Sequence, residues 1–67
     1  MAILKVIEVL SNSNTSWEDA TAQAVVEASK TLKNISSVYV QDMSATVKDG
    51  KVDEYRVNLK ITFKLSR

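Results

Sequence analysis

The chain has 67 residues with no cysteine and no histidine, a formal net charge of +1, 45% hydrophobic residues and 25% charged ones. That length predicts one domain, residues 1–67, and one core of this size rarely contributes more than ~3–5 kcal/mol. The composition excludes disulfides, Cys/His metal staples, hydrolytic triads and thiol chemistry; the weak net charge and short apolar runs point to a cytoplasmic protein with no membrane and no nucleic-acid partner, steadied by oligomerisation.

From Ala2 to Leu10 the sequence predicts a strand. Leu4, Val6 and Leu10 fall on one face and Ile3, Ile7 and Val9 on the other, so both faces are apolar and both need a cover. One helix cannot cover two faces of so small a sheet, and a second copy of the chain is expected on the other side. Ser11 to Asn14 reads as a polar turn. Thr15 with Glu18, or Ser16 with Asp19, then fits a capping box. Trp17, Ala20, Ala24, Ala28, Leu32 and Ile35 recur at helical spacing and form an apolar stripe. Most of it is alanine, which lets the helix lie close to a curved sheet. Glu27 and Lys30 stand one turn apart outside the stripe and read as a solvent-facing pair.

After Asn34 the pattern becomes β again with a slip of phase: Val38 and Val40 share one parity, whereas Met43, Ala45 and Val47 share the other. A one-residue shift in a strand that keeps a buried face predicts a bulge near Gln41 and Asp42. Asp49-Gly50 is a strong hairpin signal. The final strand alternates cleanly, with Tyr55, Val57, Leu59, Ile61, Phe63 and Leu65 apolar and Arg56, Asn58, Lys60, Thr62 and Lys64 polar. The order is βαββ, an α+β protomer whose three-stranded antiparallel sheet wraps one helix with the last strand in the middle.

These residues resemble the dodecins throughout the chain. The similarity is carried by Lys5-Val6-Ile7-Glu8-Val9, Thr15-Ser16-Trp17-Glu18-Asp19-Ala20, Ala24-Val25, Leu32, Asp49-Gly50-Lys51-Val52, Glu54-Tyr55-Arg56-Val57-Asn58-Leu59-Lys60 and Phe63-Lys64-Leu65. The resemblance implies a homo-oligomeric shell, a dodecamer of trimers, that binds and stores flavin (FMN or riboflavin) and is not an enzyme; some bacterial members are also associated with coenzyme A. In the family a tryptophan just after the helix stacks on the isoalloxazine ring, and a glutamine in the setting Tyr-Gln-Val of the last strand hydrogen-bonds its polar edge. Here those positions hold Ser37 and Arg56.

Parity independently groups them. If Val38, Val40, Tyr55 and Val57 face the helix, then Ser37, Tyr39, Arg56 and Asn58 face away from it together. Loss of the stacking ring and replacement of an amide, which donates and accepts, by a guanidinium, which only donates, predict weak or altered flavin binding. An arginine suits a carboxylate or phosphate. Two readings of Ser37 with Arg56 stand side by side: a remodelled pocket for an anionic small molecule, or an intersubunit ion pair that closes the pocket. The same two substitutions resemble a calcium dodecin branch, and Asp49, Asp53 and Glu54 around the hairpin are candidate oxygen ligands for Ca²⁺, although their spacing matches no defined loop. The basic stripe of Arg56, Lys60 and Lys64 reads as a solvated sheet face, and Trp17 as a packing anchor.

Overall fold

The computed structural model describes residues 3–65. The elements are β1 (Leu4–Ser13), α1 (Trp17–Ser29), β2 (Ile35–Lys48) and β3 (Lys51–Lys64). Both β1 and β2 pair antiparallel with β3, giving the order β1-β3-β2 with the last strand central, as the helix crossover and the hairpin predict. The expected start of the first strand at Ala2 lies outside the described residues. Among the described residues no helix is long and apolar enough to cross a membrane.

The core follows from β3. Val57, Leu59 and Ile61 are fully buried beneath α1, and Ala20 supplies the helix side of the contact, also with no exposed surface. Val9, Trp17, Ala24, Val38 and Val40 close around Ala20, Val57 and Leu59. The small Ala20 lets the helix approach, so the larger aliphatic side chains of the strand fill the gap. Trp17 anchors the first turn: its Nε1 donates to the Ser44 carbonyl oxygen at 2.8 Å, and its ring meets Tyr55 edge-on with centroids 4.9 Å apart.

Three local features differ from the sequence reading. β1 continues through Ser11, Asn12 and Ser13 rather than turning at Ser11, because β3 is long enough to pair these residues with Val57, Arg56 and Tyr55. Their side chains are also used. Ser11 Oγ donates to the Ala20 carbonyl oxygen at 2.8 Å, and Ser13 Oγ donates to Asp19 Oδ2 at 2.6 Å. At the helix start, the Ser16 option holds, since Ser16 Oγ accepts from the Asp19 N–H at 2.9 Å. Asp19 does not return the bond to Ser16; its carboxylate takes Ser13 and Gln23 instead.

At its other end α1 stops at Ser29, with Lys30 as C-cap. Leu32 extends the coil by one turn, its N–H donating to the Ala28 carbonyl oxygen at 2.8 Å, but Ile35 opens β2 and is not part of the helical stripe. The turn is made at Asn34, whose φ of 65° reverses the chain in the left-handed region that asparagine tolerates. Glu27 and Lys30 form the expected exposed ion pair at 2.7 Å.

The long hairpin fixes the outer surface of the sheet. Asp49 and Gly50 have φ of 54° and 76°, the pair of positive values that a two-residue type I′ turn needs. Lys48 and Lys51 close it. The register shifts between Val40 and Asp42, so Gln41 is the extra residue of the predicted bulge, and Met43 then pairs with Val57 on the helix side. A second shift leaves Asp53 unpaired between the Thr46–Glu54 and Val47–Val52 pairs, and a third leaves Ser36 out near the start of β2.

Candidate functional site

The outer face of the sheet is read from the residues between the buried ones of β3. Arg56, Asn58, Lys60 and Thr62 alternate with Val57, Leu59 and Ile61, and so point away from α1. Their cross-strand partners on β2 are Ser44, Asp42, Tyr39 and Ser37, and on β1 Asn12, Leu10, Glu8 and Val6. Ser37, Tyr39, Arg56 and Asn58 thus share the face that parity assigned them.

They do not form one cluster within a chain. Ser37 stands opposite Thr62, six residues along β3 from Arg56, a separation of about 20 Å at ~3.3 Å per residue. The face divides into an end with Ser37, Tyr39 and Val6, and an end with Arg56, Asn58 and Asn12. The shared face therefore does not bring all four side chains to one place within a single chain. Parity reports the face of a residue and nothing about its position along the strand.

The Arg56 end is a polar chain. Arg56, half-buried, donates from Nε to Asn12 Oδ1 at 2.9 Å, and Asn12 donates from Nδ2 to Glu54 Oε1 at 3.3 Å. Among the described residues Arg56, Lys60 and Lys64 make no ion pair; the one such pair is Lys30 with Glu27. Asn58 Oδ1 is buried and lacks a hydrogen-bond partner, a state that costs about 1–3 kcal/mol. Asn12 lies in the polar stretch Ser11 to Asn14, whose side chains read as a turn, so the sequence gives no signal for its place on the sheet face.

The outer face also carries uncovered apolar side chains, at the Ser37 end and, at Leu10, beside Asn58. Leu4, Val6 and Leu10 on β1 are 53%, 52% and 67% exposed, and Tyr39 on β2 is 65% exposed. The first strand therefore half-buries Ile7 and Val9 on the α1 side and leaves its other face bare. Two open apolar hollows lie elsewhere. One of about 450 Å³ runs between β1 and α1, against Ile7, Val9, Ala24, Ala28 and Leu32; the other, about 410 Å³, lies beside Trp17, Val40 and Met43. Neither includes Ser37, Tyr39, Arg56 or Asn58.

The acidic candidates are dispersed. Asp49 lies in the turn, Asp53 is the bulged residue whose carbonyl oxygen accepts from Asn14 Nδ2 at 3.3 Å, and Glu54 is engaged by Asn12. Among the described residues no group of three His, Cys, Asp or Glu side chains gathers to hold a metal ion.

Comparison with known proteins adds a consistent frame. The family model described as Dodecin matches residues 3–66. The calcium dodecin of Mycobacterium tuberculosis is 40% identical over 67 residues, covering 97% of this chain and 92% of that protein. Its crystal structure, described as a calcium chelating immunodominant antigen with a novel calcium-binding site, superimposes with a TM-score of 0.84 at 35% identity, over 97% of this chain and 93% of that one. The dodecin from Streptomyces coelicolor superimposes with a TM-score of 0.93 at 30% identity, over 98% of this chain and 94% of that one. A Thermus thermophilus dodecin mutant gives 0.93 at 28% identity, with all of both chains covered.

Proposed function

This chain belongs to the dodecin family, and from that premise we propose that it is a self-assembling small-molecule binding and storage protein, not an enzyme, whose ligand face is the outer surface of the sheet and whose affinity for flavin is weak. The observation that carries this reading is the bare apolar face of β1, with Leu4, Val6 and Leu10 more than half exposed on the same side as Ser37 and Arg56. That face is a surface for a second copy. Because Ser37 and Arg56 lie about 20 Å apart in one chain, a pocket using both draws them from different copies.

Weak flavin binding follows from the side chains. Ring stacking is worth about 1–3 kcal/mol per aromatic platform, and Ser37 offers none. A symmetric site lacking two such rings loses roughly a hundredfold in affinity or more. Arg56 has no acceptor for the alternating donor and acceptor edge of a flavin. The test is fluorescence quenching of riboflavin and FMN at low micromolar concentration. The native chain is expected to quench little, and Ser37→Trp combined with Arg56→Gln to restore quenching. Strong quenching by the native chain, or an assembled double variant that still ignores flavin, contradicts the assignment.

A second reading is favoured by the 40% identity to a calcium dodecin: a flavin-free, cation-binding assembly in which Arg56 pairs with an acidic residue of a neighbouring copy. Since Asp49, Asp53 and Glu54 do not gather within one chain, such a site takes oxygen ligands from several copies. Calcium titration by calorimetry separates the two readings, with saturable heat supporting the second.

A further inference from the structure

The geometry points to Arg56 as a receptor for a small oxyanion, a phosphate or carboxylate group, kept open by Asn12. This rests on the outer face being the ligand face, and it names the chemistry that the Arg56 end accepts. Arg56 and Glu54 are successive outward residues of β3, and a neighbouring carboxylate is the partner a guanidinium ordinarily takes. Here it does not. Asn12, directly across β1 from Arg56, accepts from Arg56 Nε at 2.9 Å and donates to Glu54 Oε1 at 3.3 Å.

The amide therefore stands between the two charges. Its oxygen meets the cation and its nitrogen meets the anion, so each is satisfied by a neutral group. With Nε engaged, the two terminal nitrogens of Arg56 remain as a planar donor pair, the geometry that binds an oxyanion bidentately. The half-burial of Arg56 strengthens that contact relative to a fully solvated arginine. Asn12 is thus a positioning residue and Arg56 the binding residue. An aspartate at position 12 would pair with Arg56 itself, and an alanine would release both Arg56 and Glu54.

Calorimetric titration of the assembled protein with inorganic phosphate, and separately with acetate, tests this. Saturable phosphate binding in the millimolar range is expected for the native chain. Arg56→Gln is expected to abolish it, and Arg56→Lys, which keeps the charge without the fork, to weaken it about tenfold. Asn12→Asp is expected to weaken it by more than about tenfold, and Asn12→Ala by about threefold through lost orientation. The acetate arm tells whether phosphate alone or any carboxylate is accepted. Absence of saturable binding of either anion to the native chain, or equal binding by Arg56→Gln, overturns the proposal. Loss of assembly in Arg56→Gln without anion binding by the native chain overturns it too, and assigns Arg56 to an intersubunit ion pair. Light scattering on the same samples keeps the failures apart: a native chain that binds phosphate as a monomer refutes the storage shell but not the receptor.

Discussion

Both sides of the sheet carry aliphatic side chains, and these meet opposite fates. On the helix side Val57, Leu59 and Ile61 lose all their exposed surface, whereas on the outer side Leu4, Val6 and Leu10 keep more than half of theirs. The difference is the cover. One helix of 13 residues spans about 20 Å at ~1.5 Å per residue and is used up on one face. A β-branched and aliphatic strand with two apolar faces thus makes an intramolecular contact with one and, on the function proposed above, offers the other to a second copy.

The contrast can be broken most strongly at Leu59. Leu59→Ala is expected to lower the unfolding free energy by about 2–5 kcal/mol, measured by guanidinium unfolding, because Leu59 has no exposed surface to begin with. Leu10→Asp attacks the other face. At 67% exposure Leu10 has little to lose within the chain, so the expected outcome is a far-UV spectrum that is retained while the assembly dissociates, as read by light scattering. An intact assembly in Leu10→Asp would show that the bare face is not an interface.

Smaller effects sharpen how the two faces are held in place. Ser13 is 6% exposed; its Oγ donates to Asp19 Oδ2 and accepts from the Thr15 N–H, tying the end of β1 to the helix start. Ser13→Ala is expected to cost about 1–2 kcal/mol in thermal or chemical unfolding. Gly50→Ala tests the turn that sets the register of both faces. No atom lies within 4 Å of the added Cβ, so only the left-handed backbone, with φ of 76°, opposes it. The expected loss is about 1 kcal/mol.

Much of this fold is written locally. The alternation of β3, the phase slip at Gln41 and the Asp49-Gly50 turn each correspond to one physical cause, and each stands in the structure where the sequence puts it. The helix end is different. Leu32 and Ile35 keep the helical spacing of Ala24 and Ala28, and only the left-handed conformation at Asn34 breaks the run, which a single polar residue does not announce. The extension of β1 was hidden for a related reason. Ser11, Asn12 and Ser13 have turn-forming side chains, and the length of β3 opposite them overrides that preference.

The candidate site is legible by face, and the sequence also carries a signal for distance along the strand. Counting outward from the two-residue turn pairs Ser37 with Thr62, and the structure keeps this pairing because the extra residue Asp53 on β3 offsets the extra residue Gln41 on β2. The same count separates Ser37 from Arg56. The role of Asn12 could not be reached this way, since it depends on the register of β1, which no short turn fixes.

The mass of the native assembly in dilute solution, by light scattering, tests the account most directly. A chain whose first strand is bare on one side is expected to give a multiple of the 67-residue mass that persists on dilution. A stable, cooperatively folded monomer under the same conditions would contradict it.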